Sequence, residues 1–193
     1  MTATDVARGG EIGFKITPEP SPSLESAFAR QLDAMVRRTC RLARAVVGAE
    51  QAAVQLWVTD ASCAHKYFAL SERYAAFRGF EVDPKGVGLH GMTIPPGTAV
   101  RLNQVEVLAH PRFRSFAPFA DVHPPLRGWL AASVWGDHSL PYGLLQLSDK
   151  SDGGDFHETD ELSVLDLATL LGAGLDALRL ACSATGDSPW RLG

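Results

Sequence analysis

His123, Gln146 and Ser148 are the side chains whose settings offer the most chemistry. His123 opens HPPLRGWLAASV (123–134), where a double proline stiffens the chain. An imidazole there can ligate a metal or bond an organic ligand. Gln146 and Ser148 stand at alternate positions of GLLQLSDK (143–150). In a strand they share a face with Leu144, opposite Leu145 and Leu147. An amide among leucines needs a partner once buried, either a ligand or nearby backbone. Trp129, Trp135, Phe77 and Phe80 add aromatic surface, for a pocket wall or for core. A further group is Asp149-Lys150, Phe156 and Asp160-Glu161. Lys150 would leave a strand and Asp160 would open a helix. An ion pair between them would pin the connecting loop over Phe156, with Asp160 favoured by the positive helix end. Asp155 or Thr159 is expected to cap that helix.

Other chemistries find little support. Cys40, Cys63 and Cys182 are an odd set with no CxxC spacing, so neither a disulfide framework nor a cysteine-rich zinc site is expected. His65, His90, His110 and His138 lack metal-ligand spacing. No GxSxG, P-loop or HExxH signature occurs. A net charge of −4 gives no global basic field for nucleic acid or acidic lipid. No apolar run reaches membrane-spanning length, and the start, MTATDVARGGEIGF, lacks the pattern of a secretory signal. The expectation is a cytoplasmic protein with no nucleic-acid or membrane partner.

The elements that must position these residues follow from punctuation and period. With 193 residues, 46% of them hydrophobic and 21% charged, the chain suits one globular domain with tails. Residues 1–23, broken by Pro18, Pro20 and Pro22, read as a flexible tail, and 182–193 as another. Between them, 24–181 forms the domain. Leu24, Phe28, Leu32, Met35, Val36, Leu42, Ala43, Val46 and Val47 recur at helical steps and predict a helix over 24–47, stopped by Gly48. Its other face carries Arg30, Arg37, Arg38, Arg41 and Arg44, read as a solvated or partner-facing surface. Strands are predicted at 52–59, 65–71, 99–103, 129–135 and 142–149, the last two as an antiparallel hairpin. SERYAAFRGF (71–80) holds a short helix, 79–97 a long loop suited to binding, and VEVLAHPRF a helical turn. A final helix over 159–181 carries Leu162, Leu165, Ala168, Leu171, Leu175 and Leu178. Strands gathered between end helices argue an α+β fold: an antiparallel sheet with helices on one face.

HPPLRGWLAASV, GLLQLSDK and FHETDELSVLDLATLLGAGL (156–175), with SERYAAFRGF and RLNQVEVLAHPRFRSF (101–116) in the same order, resemble a GAF domain of the type found in bacterial sensor histidine kinases and related signalling proteins. The resemblance covers about 30–180. It implies a six-stranded antiparallel sheet, with the N- and C-terminal helices packed on one face and a loop-covered pocket on the other. It further implies a sensory or regulatory role through ligand binding and dimer or partner contacts rather than catalysis. These 193 residues hold no kinase, phosphatase or DNA-binding segment; if the chain is complete, the output would pass to a second copy, a sensor kinase or a response regulator. On this resemblance the ligand-binding residues are His123, Gln146, Trp129, Phe77, Phe80 and Ser148, for an unidentified small molecule. Lys150, Phe156 and Asp160 match the Asn-Lys, Phe and Asp-Glu signature of cyclic-nucleotide-binding members, with Asp149 in place of Asn. That pattern also serves a purely structural role.

Two alternatives come with the resemblance. His123-Pro124-Pro125-Leu126-Arg127 is similar to the segment that supplies the proximal ligand in haem-bearing members, which would make the protein a gas or redox sensor. Gln146 replaces the tyrosine those members place above the iron. Free methionine-(R)-sulfoxide reductases are also short GAF proteins, but they need two cysteines lining the pocket, and 72–181 contains none.

Overall fold

The computed structural model describes residues 27–57, 65–77, 88–113, 125–137 and 141–185. Along them run α1 (Ala27–Val47), β1 (Ala49–Leu56), β2 (His65–Leu70), a 3-10 helix (Glu72–Phe77), a second 3-10 turn (Gly88–Gly91), β3 (Val100–Leu102), α2 (Gln104–Ala109), β4 (Trp129–Trp135), β5 (Pro141–Lys150) and α3 (Glu158–Thr185). The strands form one antiparallel sheet in the order β2-β1-β5-β4-β3. Five strands stand among the described residues, where the family resemblance implies six. β5 is central, so Gln146 and Ser148 lie mid-sheet.

Alternation along the strands separates two faces. Ala52, Val54, Leu56, Leu130, Ala132, Val134, Leu145 and Leu147 turn to one side and form the main core. α1 supplies Leu32, Val36, Cys40, Ala43 and Val47 to it, and α3 supplies Val164, Ala168, Leu171 and Leu175. Steps of three and four put each set on a single helical stripe. Both end helices therefore back the same face. Gly48, at φ +68°, ends α1 and turns the chain directly into β1. A buried carboxylate ties the back together. Asp176 of α3 accepts from the Tyr142 hydroxyl (2.6 Å) and the Asp137 backbone N–H (2.8 Å), holding the β4–β5 hairpin against the helix. Burial and the Asp176 bond push the Tyr142 hydroxyl up to about 12.

Three sequence expectations need correction. α3 runs on to Thr185, so Cys182 is a buried helical residue and not the start of a tail. Leu42 (47% exposed), Val46 and Leu162 (58% exposed) do not face the core. Leu162 precedes the buried Val164 by two residues, a rotation of roughly 200° at about 100° per residue, so the two cannot share a face. Leu162, Leu170 and Leu180 form a second apolar stripe on the outer side of α3. Finally, neither Asp155 nor Thr159 caps α3. Asp160 reaches back to the His157 N–H at 2.7 Å.

Candidate functional site

The face of the sheet away from the end helices carries the candidate site. Register sets its rows. Gln51, Ser148, Trp129 and Leu102 lie side by side in one row, and Gln55, Leu144 and Ser133 in another. Between them Gln146 is flanked by Ala53 and Ala131. Two alanines beside a glutamine make this middle row low, with taller side chains on either hand. Gln146 Oε1 accepts from the Trp129 indole N–H at 3.0 Å, a diagonal contact between adjacent strands. The predicted partner of a buried amide is thus neither backbone nor ligand at this oxygen, but a neighbouring side chain. Ser148 is buried in the row of Gln51.

A roof lies over the β3–β4 side of this floor. The Ile94 N–H donates to Ser133 Oγ (2.8 Å), and the Trp135 indole N–H donates to the Ile94 carbonyl (2.9 Å). These bonds pin the segment after the second 3-10 turn across the sheet. Leu89, Ile94 and Val107 then pack with Trp129, Ala131 and Leu144 into a second apolar cluster. Val107 is presented by α2, whose start is fixed by a capping box. Asn103 Oδ1 accepts from the Glu106 N–H at 2.9 Å, and Glu106 accepts from the Asn103 N–H at 2.8 Å. Trp129 is consequently a floor residue packed beneath the roof, with its indole N–H bonded to Gln146.

One residue anchors two of the surrounding segments. Asp149 ends β5 in the left-handed region, at φ +57°, a conformation Asp and Asn tolerate better than most residues. Its Oδ1 accepts from the Arg127 N–H (2.5 Å) and the Gly128 N–H (3.3 Å), and its Oδ2 from the Tyr74 hydroxyl (2.7 Å). The carboxylate so joins the approach to β4 with the 3-10 helix Glu72–Phe77. Burial pushes its pKa up; the Tyr74 hydroxyl and the two backbone N–H groups, which favour the anion, pull against that. Burial and the same bond push the Tyr74 hydroxyl above its ordinary range. Phe77 meets Tyr74 edge to face, with centroids 5.8 Å apart. Nothing in the sequence singled out Tyr74, and Asp149 stood out only for replacing Asn.

Next along the chain, Lys150 Nζ lies 2.9 Å from Asp160 Oδ2. Phe156 is buried in the main core, and Arg101 bonds both its carbonyl (2.9 Å) and Glu161 (2.7 Å). Lys150, Phe156 and Asp160 thus close the link from β5 to α3 on the helix side of the sheet. Gln146, Ser148 and Trp129 come together on the other side. His123 and Phe80 lie outside the described residues. Sequence reasoning missed Gln51 and Gln55, whose place beside the floor is set only by the β1–β5 register.

Among the described residues no group of His, Cys, Asp and Glu is arranged to hold a metal ion, and no helix is long and apolar enough to cross a membrane. Cys40 is buried in α1, with Sγ 3.6 Å from the Tyr67 carbonyl, and burial pushes its thiol up to about 12. A thiol so poor in thiolate is a weak nucleophile. Ellman's reagent is expected to leave Cys40 unmodified in the folded protein and to react with it in denaturant. Fast labelling of Cys40 under native conditions would contradict its burial.

The GAF domain of PixJ from Thermosynechococcus elongatus, in its blue-light-absorbing form, superposes with a TM-score of 0.62 at 12% identity, over 84% of this chain and 95% of that one. The GAF domain of a phosphoenolpyruvate-protein phosphotransferase from Coxiella burnetii gives 0.58 at 15% identity, over 81% and 87%. Free methionine-R-sulfoxide reductase from Neisseria meningitidis, solved with its substrate, gives 0.57 at 21% identity, over 83% and 88%. These likenesses establish a shared fold. The family model described as GAF domain matches residues 31–175, which is most of the chain, and so this chain belongs to the GAF domain family.

Proposed function

We propose that this chain is a sensory or regulatory GAF protein of bacterial signal transduction. It binds a small molecule on the face of its sheet away from the end helices and acts through dimer or partner contacts, without catalysis, in the cytoplasm. The observation that carries this reading is the low polar floor at Gln146, framed by Ser148 and Trp129 and bordered by a roof tied down at Ile94. Pockets of this kind combine apolar walls with a few placed polar groups. Two cysteine positions speak for binding rather than reductase chemistry. Cys40 and Cys182 both lie in the end helices, behind the sheet, while Cys63 falls outside the described residues. His123, on which a haem would depend, also falls outside them, so no step is routed through haem.

Transmission follows from the chain path. β5 carries Gln146 and Ser148 on the floor, and two residues later Lys150 pins the start of α3 through Asp160. A ligand that prefers one setting of β5 shifts the population of the α3 arrangement with it. The outer stripe of Leu162, Leu170 and Leu180 offers an apolar surface for a second copy, or for a sensor kinase or response regulator.

Native mass spectrometry with an absorption spectrum on the purified protein tests the reading. The expected result is a dimer, no Soret band after haem reconstitution, and a bound small-molecule mass or a raised Tm in a metabolite screen. Leu170→Lys should convert the dimer to monomer. A monomer with no bound mass and no responsive compound overturns the proposal, and a Soret band moves the function to haem.

A further inference from the structure

Gln51 and Gln55 bury their side chains on the floor side of β1, yet the Oε1 of each has no hydrogen-bond partner. Gln55 is 1% exposed and Gln51 8%. A buried amide carbonyl without a partner keeps the full cost of its desolvation, which a bound donor would offset. The two lie on either side of the low Ala53–Gln146–Ala131 row, roughly 13 Å apart along the strand at about 3.3 Å per residue. The two residues thus flank the alanine-lined Gln146 row, one on each side.

Charge narrows what fits between them. Among the described residues, the floor rows carry a single charged side chain, Lys66 on the edge strand β2. Its Nζ is already stacked over the Phe68 ring, 4.9 Å from the centroid. A carboxylate or phosphate beside Gln55 would have to draw Lys66, its cross-strand neighbour, off the Phe68 ring, and would meet the two carbonyl oxygens while desolvated. A neutral molecule with N–H or O–H donors meets complementary groups instead.

From these two orphaned acceptors we infer that the site takes an uncharged, flat organic molecule that donates N–H or O–H hydrogen bonds to Gln51 and Gln55. This deepens the proposed function and rests on it. Small apolar floor residues admit the flat body. The two carbonyls read donors on separate edges of it, and Trp129, bonded to Gln146, reports occupancy through its fluorescence.

Three matched sets of probes test the class: uracil, 1,3-dimethyluracil and orotate; adenine, 9-methyl-6-(dimethylamino)purine and adenosine monophosphate; nicotinamide, N,N-diethylnicotinamide and nicotinate. Binding is read by tryptophan fluorescence and calorimetry. At least one neutral donor is expected to bind at least tenfold tighter than its alkylated and anionic counterparts. Gln55→Leu and Gln51→Leu should each weaken that binding tenfold or more. Without ligand, both variants should hold or raise the Tm, because each deletes an orphaned acceptor. A Tm loss of several degrees in both would show that the carbonyls are already satisfied and overturns the inference. Equal or tighter binding of an alkylated or anionic probe overturns the ligand class alone, leaving a ligand site in place. No binding by any probe, with no mass carried by the purified protein, removes the ligand-binding reading as well.

Discussion

Replacing Asp149 by alanine is expected to destabilise the fold by at least about 3 kcal/mol, since three buried donors lose their acceptor at on the order of 1–3 kcal/mol each. The substitution leaves the Arg127 N–H, the Gly128 N–H and the Tyr74 hydroxyl without their acceptor. It also puts a β-carbon with no compensating polar group at φ +57°. Against a typical domain stability of about 5–15 kcal/mol, such a loss is readily seen in urea. Asparagine should behave differently. It accepts the two backbone bonds through its carbonyl, bonds Tyr74 through its amide, and tolerates the left-handed backbone, so a cost within about 1 kcal/mol is expected. If alanine and asparagine prove equally damaging, the hydrogen-bonding account of this residue is wrong.

The same pair of proteins yields a pH dependence. Burial raises the folded pKa of Asp149 above its ordinary carboxylate value. A carboxyl raised on folding contributes stability at pH below its unfolded pKa. That contribution falls away as pH rises through the folded value, because the folded state holds the proton longer. Asp149→Asn cannot titrate there. Its stability relative to the unaltered chain should therefore improve from acidic to neutral pH. A difference moving the opposite way would show that hydrogen bonding outweighs desolvation at this carboxylate.

Gly172→Ala carries the second large effect, with a sign opposite to helix propensity. Alanine in a helix interior is ordinarily favoured over glycine by about 1 kcal/mol. At 172, however, an added Cβ would stand 1.8 Å from the Trp135 carbonyl oxygen and 2.8 Å from its carbon. Both atoms are backbone, at the end of β4, so α3 itself must move off the sheet. Overpacking of this kind costs typically 1–3 kcal/mol and at times more, and the backbone obstacle puts Gly172→Ala at about 3 kcal/mol or above. Gly174 is the control, two residues on in the same helix. Its Cβ would meet Met35 Sδ at 2.6 Å, and a thioether with several rotatable bonds moves aside. Gly174→Ala should fall within about 1 kcal/mol of neutral. Thermal melts of the two variants separate the cases, and equal Tm values would contradict the close helix–strand approach at Trp135.

Much of the architecture was legible because it rests on local period. Alternation in WLAASVW and GLLQLSDK marked the two strands that hold the floor, and three- and four-residue steps marked α1 and α3. Errors arose where one pattern served two surfaces. Leu162 and Val164 are both apolar on one helix, and only contact with the sheet shows which is core. α3 also extended past its expected end, because Cys182 is buried there by tertiary packing.

From the residues alone came the antiparallel α+β fold with both end helices, the grouping of Gln146 with Ser148, and the pairing of Lys150 with Asp160. Each is a consequence of neighbours close in sequence or of side-chain alternation within one strand. The tertiary structure alone decided that Gln51 and Gln55 border the Gln146 floor, that Ile94 is hung from Ser133 and Trp135, and that Asp149 joins Tyr74 to the approach to β4. Those partners lie tens of residues apart, and they meet only because β5 pairs between β1 and β4. Strand register is a property of the assembled sheet, set by how all its faces bury together, and no single stretch of chain encodes it.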